Sequence, residues 1–216
     1  MLADAVAVLL AAPAALLAAA WLFPALLRPL LWAAVRVLYR FRAPGRDRVP
    51  PRGGVLIVSN HVSYADWLVL WVACPRDPVF VLWDGYYRHP LLRFVLSWAR
   101  HNTVRVAAAN RPHALAASLK QIAAELDAGR VVVVFPEGAL TRTGNMFPFG
   151  RGVERILKLT TAPVAVVPAC VGGLWGGFFS HSGGPILRKR PKAFRPRVSV
   201  LFGERQPLPP APSPKK

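Results

Sequence analysis

Short apolar runs without internal alternation recur along the chain, and segments of helical periodicity separate them. Residues 55–59 and 131–135 are each too short for a helix, rich in valine and followed by a polar turn. Residues 111–128 form the clearest predicted helix, because leucine and isoleucine recur there at helical spacing and Gly129 follows as a stop signal. Such alternation predicts an α/β fold with a mostly parallel central sheet flanked by helices.

The same signals place the other elements. Strands are expected at residues 79–83, 103–106, 164–171 and 197–202, and helices at residues 64–73, 86–98 and 152–160. The globular domain is therefore predicted over residues 55–206. Its Pro, Gly and Arg content predicts a linker at residues 43–54, and a run of prolines predicts a disordered tail at residues 207–216.

The first 42 residues are predicted to anchor the domain to a membrane. Residues 5–27 are almost unbroken apolar sequence, long enough for a membrane-spanning helix, and residues 29–38 suit a shorter interfacial helix. Arginines follow the apolar run at residues 5–27, whereas Asp4 precedes it. The positive-inside rule then places the domain on the cytoplasmic face, as in a bacterial inner membrane. A buried helical hairpin of a soluble domain is the alternative.

The charge balance agrees with a membrane surface. The chain carries 28 Lys and Arg against 10 Asp and Glu, a formal net charge of +18, and 54% of its residues are hydrophobic. Basic and apolar character together favour anionic lipid over nucleic acid, for which the sequence holds no zinc-finger, basic-region or RNA-binding pattern. Cys74 and Cys170 lie in apolar surroundings and are expected to be buried thiols. No cofactor motif and no metal-ligand spacing is found in the sequence.

A chemically active stretch follows the first predicted strand of the domain, Asn60-His61-Val62-Ser63-Tyr64-Ala65-Asp66. If His61 precedes the helix and Asp66 lies in its first turns, the imidazole can fold back onto the carboxylate. The carboxylate then fixes the tautomer of the ring and leaves its other nitrogen as a general base. Asn60 or Ser63 is placed to cap the helix. The plainer alternative is a capped helix start with a half-buried histidine and a solvated aspartate.

A second polar turn follows residues 131–135, with the sequence Pro136-Glu137-Gly138-Ala139-Leu140-Thr141-Arg142-Thr143-Gly144. Its carboxylate, glycine backbone, hydroxyls and arginine suit a polar, anionic ligand. Arg142 can pair with phosphate, Gly138 lets backbone N–H groups approach a ligand, and Glu137 can bind a hydroxyl or orient a base. An ordinary polar loop is the alternative.

Together, Asn60-His61-x4-Asp66 and Phe135-Pro136-Glu137-Gly138 resemble the PlsC-like glycerolipid acyltransferases of the 1-acylglycerol-3-phosphate acyltransferase type. Val167-Pro168 followed by Gly172-Gly173 matches the last block of that family, so the resemblance covers roughly residues 50–205. It implies a glycerol-3-phosphate acyltransferase-like fold.

The resemblance also implies an activity: transfer of a fatty acyl group from a thioester of acyl-carrier protein or coenzyme A to the free hydroxyl of a lysophospholipid. The acceptor is lysophosphatidic acid or lysophosphatidylethanolamine, and residues 140–144 and 173–180 look most like the 2-acylglycerophosphoethanolamine branch. His61 is then the base that takes the hydroxyl proton, and Asp66 holds it. Attack is direct, without an acyl-enzyme. Backbone N–H groups near Gly138 or the His61 helix start are expected to stabilise the oxyanion.

The substrate-binding residues expected from the resemblance and the turn chemistry are Asn60, Arg105, Glu137, Gly138, Thr141, Arg142 and Arg151. The family often places a glycine ahead of an arginine that binds the acceptor phosphate, and residues 101–106 lack that glycine. Arg105 is the closest match by position, with Arg111 as the second choice. Arg151 is a phosphate ligand if it lies at a helix start, and otherwise a solvated helix charge.

Two other functions stay open on the same fold. A membrane-bound lipid-binding protein would use the basic surface without turnover. A hydrolase would use His61 and Asp66 to activate water on a phospholipid or a thioester, and it would release free fatty acid without an acceptor.

Overall fold

The computed structural model describes residues 24–90, 102–108, 110–184 and 195–207. Its helices are α1 (Pro24–Leu38), α2 (Asp66–Ala73), α3 (Pro112–Asp127) and α4 (Gly152–Leu159), and short 3-10 turns cover Arg46–Arg48 and Asp84–Arg88. Its strands are β1 (Arg40–Arg42), β2 (Gly54–Ser59), β3 (Pro78–Trp83), β4 (Thr103–Val106), β5 (Val131–Val134), β6 (Val164–Gly172) and β7 (Arg197–Phe202). Apart from the helix at residues 86–98, the elements predicted for the domain are present with nearly the expected bounds.

The seven strands of the described residues form one sheet in the order β1-β7-β6-β2-β5-β3-β4. Neighbouring strands are parallel, except that β6 and β7 run antiparallel. The predicted α/β fold with a mostly parallel sheet is therefore confirmed. Strands β2 and β5 lie next to each other near the centre.

The central strands are buried on both faces, which explains their lack of apolar and polar alternation. One face contributes Ile57, Val133 and Phe80 to a core shared with α1 and α2. The opposite face contributes Leu56, Val132 and Val79 to a core shared with α3 and α4. Burial of one such side chain stabilises the fold by about 1.5–3 kcal/mol.

The chain between α1 and β2 differs from the predicted anchor and linker. Arg40–Arg42, assigned to the anchor, form the edge strand β1 beside β7. The predicted linker at residues 43–54 is held against the domain, where Arg76 donates hydrogen bonds to the carbonyl oxygens of Pro50 and Gly53 at 3.1 and 2.8 Å. Proline and glycine content reports local conformation only, so the sequence did not show these distant partners.

The stretch predicted as an interfacial helix lies within α1. Val35 is fully buried against the domain, and Arg28 donates to Asp77 Oδ1 at 2.9 Å, so this helix packs on the domain surface. None of the helices in the described ranges combines the length and the apolar character needed to traverse a bilayer. Residues 5–23, most of the predicted spanning segment, lie outside the described residues.

Other predictions lie partly outside the described residues too. Of the helix predicted at residues 86–98, the described part begins as the 3-10 turn Asp84–Arg88, and residues 91–98 fall outside. The predicted tail also lies outside the described residues from residue 208 onward.

The two cysteines differ from each other. Cys74 is buried as expected, and burial raises the pKa of its thiol. Cys170 is exposed, so its predicted burial is wrong. It pairs with Leu201 of β7, whose side chain is also exposed, at a part of the sheet that faces solvent.

Candidate active site

The two polar turns meet because β2 and β5 are neighbours in the sheet. Val58 pairs with Val134 in parallel register, so both strands end at the same edge and at the same level. The His61 imidazole stacks on the Phe135 ring, with ring centroids 4.1 Å apart and an interplanar angle of 16°. The Thr141 N–H donates to the His61 carbonyl oxygen at 3.0 Å. The turns after β2 and β5 therefore form one site.

His61 and Asp66 form the contact that their spacing predicted. His61 Nδ1 lies 2.8 Å from Asp66 Oδ2, and Asp66 is the fully buried first residue of α2. The same oxygen accepts the backbone N–H groups of Val62 at 2.7 Å and Ser63 at 2.9 Å. With Nδ1–H donating to the carboxylate, Nε2 carries the lone pair, and it has no hydrogen-bond partner in the described part of the chain. The side chain is 21% exposed, so a substrate can reach this nitrogen.

Glu137 fixes the backbone of both turns. Its Oε1 accepts the His61 N–H at 2.8 Å, and its Oε2 accepts the Phe147 N–H at 2.8 Å. Because backbone groups engage both oxygens, Glu137 orients the base, and each oxygen keeps a further lone pair as an acceptor. A carboxylate suits this position because it offers two acceptors, where the amide of glutamine offers one.

Thr141 and Asn60 organise the site from buried positions. Thr141 Oγ1 donates to the Asn145 carbonyl oxygen at 2.6 Å and accepts the Gly144 N–H at 3.0 Å. The Asn60 amide pairs with both backbone groups of Val171, donating at 3.0 Å and accepting at 2.7 Å, and so ties the end of β2 to β6. Through these contacts both side chains position the backbone of the site.

The start of α2 differs from the predicted one. Ala65 occupies the N-cap position without a side-chain cap, so neither Asn60 nor Ser63 caps the helix. The Ser63 Oγ instead accepts the Ala65 N–H at 3.1 Å. The Tyr64 N–H donates to the Phe179 carbonyl oxygen at 2.9 Å. Because Glu137 and Asp66 accept the N–H groups of residues 61–63, each backbone N–H of residues 61–66 has an acceptor within the protein.

The expected oxyanion donors are therefore engaged at the helix start. In the other turn, Gly138 has φ 67°, a left-handed conformation that glycine adopts readily, and its N–H donates to the Phe135 carbonyl oxygen at 3.0 Å. The N–H groups of Ala139 and Leu140 follow in the same turn and have no hydrogen-bond partner among the described residues. These two N–H groups, with those of Glu137 and Arg142, are the backbone donors of the turn that have no acceptor among the described residues.

The arginines expected to bind phosphate lie in different surroundings. Arg142 is exposed and has no ion-pair partner in the described ranges. Arg151 precedes α4 and donates to Glu154 at 3.1 and 3.3 Å, and hydrogen bonds from Arg151 and a neighbouring lysine lower the pKa of Glu154 to about 2. Arg105 lies on the edge strand β4, with its guanidinium 3.8 Å from the Tyr87 ring centroid. Of the three, Arg142 is the unpaired cation beside the His61 turn.

Exposed aromatic side chains border the same turn. Tyr64, Trp67, Phe178 and Phe179 are between 38% and 43% exposed. The Tyr64 ring also meets the His181 ring edge-on, with centroids 5.9 Å apart. The loop after β6 thus contributes an apolar rim to the site.

Sequence reasoning missed the Phe135 stack, the Phe147 N–H and the loop after β6. An aromatic residue directly ahead of Pro136-Glu137 was the available signal for the stack. The other two features had no local signal, because they depend on which strands become neighbours.

Among the described residues, no group of three or more His, Cys, Asp or Glu side chains is placed to hold a metal ion. The polar groups of the site are an imidazole, two carboxylates and a guanidinium. This set suits proton transfer and anion binding.

Comparison with known proteins agrees with this geometry. The acyltransferase family model matches residues 40–172, which include both turns. A 1-acyl-sn-glycerol-3-phosphate acyltransferase of Cocos nucifera is 29% identical over 138 residues, covering 63% of this chain and 42% of the relative. One of Limnanthes douglasii is 27% identical over 119 residues, covering 55% and 41%. The chain thus spans less than half the length of these relatives.

A solved structure shows the same fold. The 1-acyl-sn-glycerophosphate (LPA) acyltransferase PlsC from Thermotoga maritima superposes with a TM-score of 0.60 at 16% sequence identity. The superposition covers 83% of this chain and 68% of that one.

Proposed function

The chain belongs to the acyltransferase family, and we propose that it transfers a fatty acyl group from an acyl thioester to the free hydroxyl of a lysophospholipid. The His61–Asp66 pair carries this proposal, because Nδ1 is held 2.8 Å from the carboxylate while Nε2 stays free. A hydroxyl is a poor nucleophile at neutral pH and needs such a positioned base. A protein that only binds lipid does not need one.

In the proposed reaction, His61 Nε2 accepts the proton of the acceptor hydroxyl as its oxygen attacks the thioester carbonyl carbon. Asp66 stabilises the imidazolium that forms. The N–H groups of Ala139 and Leu140 are the proposed oxyanion donors. The tetrahedral intermediate collapses with cleavage of the carbon–sulfur bond, and His61 returns the proton to the leaving thiolate. The products are the diacyl phospholipid and the free thiol of coenzyme A or acyl-carrier protein.

Lysophosphatidic acid is the proposed acceptor, because the similar plant proteins are named for that substrate. Arg142 is the proposed ligand of its phosphate, because it is exposed, has no ion-pair partner in the described ranges and follows Thr141, whose N–H bonds the His61 carbonyl oxygen. Lysophosphatidylethanolamine is the second acceptor to test, because residues 140–144 and 173–180 resemble the 2-acylglycerophosphoethanolamine branch of the family. The exposed aromatic side chains around Tyr64 supply an apolar surface for the acyl chains.

Arg142→Gln is expected to raise the KM for lysophosphatidic acid by about 10–100-fold, because a charge-assisted hydrogen bond contributes about 1.5–3 kcal/mol. The assay supplies labelled acyl-CoA or acyl-carrier-protein thioester with lysophosphatidic acid, with lysophosphatidylethanolamine or with no acceptor. It follows label into phospholipid and into free fatty acid. Arg52→Gln is the matched control, since Arg52 is exposed just ahead of β2, at the opposite edge of the sheet.

We expect label in phospholipid when an acceptor is present and no label in free fatty acid when it is absent. Release of fatty acid at the same rate with and without acceptor would identify a hydrolase. Lipid binding without turnover would identify a binding protein. An unchanged KM for Arg142→Gln would remove Arg142 from the acceptor site and leave the reaction standing.

We also propose that α1 contacts the membrane, with the domain on the cytoplasmic face of a bacterial inner membrane as the arginine distribution favours. The outward side of α1 exposes Leu30, Trp32, Val37 and Leu38, and the Arg36 guanidinium lies 4.2 Å from the Trp32 ring centroid. An apolar surface carrying arginine suits the boundary between acyl chains and anionic headgroups.

Val37→Glu with Leu38→Glu is expected to lower binding to anionic liposomes by about 10-fold, because two apolar side chains leave the interface and two negative charges enter it. Cosedimentation measures the bound fraction. Leu159→Glu with Leu201→Glu is the matched control, because these two leucines are 39% and 47% exposed on α4 and β7. Equal retention of the double variant and the wild type would show that attachment does not depend on this face of α1.

A further inference from the structure

A cavity opens at the carboxyl ends of β3 and β4, beside α3 and at the same edge of the sheet as the His61 site. It measures about 370 Å³, and its walls include Asp84, Tyr87, Arg88, Arg105, Arg111 and Ser118. Three arginines and one carboxylate give the cavity a net positive charge.

Two of these three cations are not neutralised. Arg111 Nη2 bonds Asp84 Oδ2 at 2.8 Å and so occupies the carboxylate. Arg105 stacks over the Tyr87 ring at 3.8 Å, which orients the guanidinium and leaves its N–H donors free. Arg88 is exposed and has no ion-pair partner within the described ranges. Oriented guanidinium groups of this kind suit a phosphate.

The walls of the cavity are held in place by their own hydrogen bonds. The Tyr87 hydroxyl lies 2.9 Å from Thr103 Oγ1, which fixes the ring beneath Arg105. Ser118 Oγ donates to the Ala114 carbonyl oxygen at 3.0 Å and accepts the Ala107 N–H at 3.3 Å. A ligand therefore meets a largely formed pocket, which lowers the entropy loss on binding.

The sheet register sets the distance from this cavity to His61. One row across β2, β5, β3 and β4 consists of Ile57, Val133, Phe80 and Thr103. Arg105, two residues beyond Thr103, is therefore at the level of Phe135, the ring on which His61 stacks. Because the His61 ring stacks on Phe135 at the end of β5, the relevant separation is that of β5 from β4, which is two strand spacings or about 10 Å between backbones.

The acceptor phosphate stays within roughly 5 Å of a hydroxyl at His61, the span of the few single bonds between the two groups, which suits the nearby Arg142 turn. The acyl donor has a longer reach. About a dozen bonds, roughly 15 Å when extended, lie between the thioester sulfur and the phosphate of a phosphopantetheine arm. Resting on the proposed acyl transfer, we propose that the cavity of Arg88, Arg105 and Arg111 binds this phosphate, which coenzyme A and acyl-carrier protein share. Arg105 is then a donor-binding residue and not an acceptor-binding one.

Calorimetric titration tests the cavity without any turnover. The ligands are 4′-phosphopantetheine, dephospho-coenzyme A and pantetheine, which lacks the phosphate. The double variant Arg88→Gln with Arg105→Gln keeps the Arg111–Asp84 ion pair, and Arg42→Gln with Arg52→Gln, at two exposed arginines outside the cavity, is the control of equal net charge. The double variant is expected to bind the two phosphate-bearing ligands about 10-fold or more weakly, with Kd for pantetheine unchanged. An unchanged Kd for 4′-phosphopantetheine, or an equal loss for pantetheine, overturns the proposal.

Kinetics separate this inference from the proposed function. The double variant is expected to raise KM for acyl-CoA and acyl-carrier-protein thioesters about 10-fold and to keep KM for lysophosphatidic acid within about 2-fold. A rise confined to the acceptor KM, or to acyl-CoA alone, overturns the phosphopantetheine assignment and leaves acyl transfer standing. If the wild type transfers from neither donor, the proposed function fails, and the calorimetry still decides whether the cavity binds phosphate.

Discussion

Replacing His61 by alanine is expected to lower kcat for acyl transfer by about 10²–10⁴-fold, because positioned general bases contribute on that scale. The side chain is the part of His61 that carries Nε2, whereas its backbone holds the site together. The His61 N–H bonds Glu137 and its carbonyl oxygen accepts the Thr141 N–H, and alanine keeps both groups. The loss should therefore fall on the chemical step, measured as kcat with labelled thioester at saturating acceptor.

The control for this variant is a histidine outside the site. His113 is exposed on α3, so His113→Ala removes an imidazole and leaves kcat unchanged. Thermal unfolding of His61→Ala should show a modest loss of stability and a cooperative transition, because the variant removes the Phe135 stack and one hydrogen bond of Asp66, whose Oδ2 keeps the N–H groups of Val62 and Ser63. Transfer at the wild-type rate by a folded His61→Ala protein would mean that another group is the base.

The strands were predictable because the physics that forms them is local to each run. Residues 131–134 are four valines, and all four are buried because helices cover both faces of the sheet. The same holds for the His61–Asp66 contact. A strand end, a tight turn and a helix start bring His61 Nδ1 within 2.8 Å of Asp66 Oδ2, only five positions along the chain.

The partners that distant segments provide were not predictable in this way. Glu137, Thr141 and Asn60 were expected to contact substrate as polar residues in active turns. Glu137 and Asn60 bind backbone from distant segments, and Thr141 binds backbone within its own loop. Arg105 was matched by its position in the sequence, but the strand order places β4 at the sheet edge, two strands beyond β5. Residue type and spacing indicate that a site is polar, and only the strand order shows which polar groups are left for a ligand.

Asp66→Asn is expected to lower kcat by about 10²–10³-fold and the free energy of unfolding by about 1–3 kcal/mol. Asp66 Oδ2 accepts three groups, His61 Nδ1–H and the N–H groups of Val62 and Ser63, while Oδ1 is buried without a partner in the described residues. If the asparagine oxygen takes the Oδ2 position, its NH2 group fills the buried site and leaves two donors unpaired. If the amide is reversed, NH2 faces two backbone N–H groups and Nδ1, which forces the proton of His61 onto Nε2 and removes the base.

The two orientations predict different readouts, so the variant reports on how the histidine is held. Urea unfolding measures the stability loss, and kcat against pH measures the base. Glu154→Gln is the matched carboxylate-to-amide control, because Glu154 is exposed on α4 and its ion pairs contribute little. A stability loss with kcat intact would make Asp66 purely structural, since the turn would then be weakened while Nε2 still accepted a proton. A large loss of kcat with Nε2 protonated by NMR would establish that Asp66 acts by fixing the tautomer, because the hydrogen bond at Nδ1 decides which nitrogen is free to take the proton.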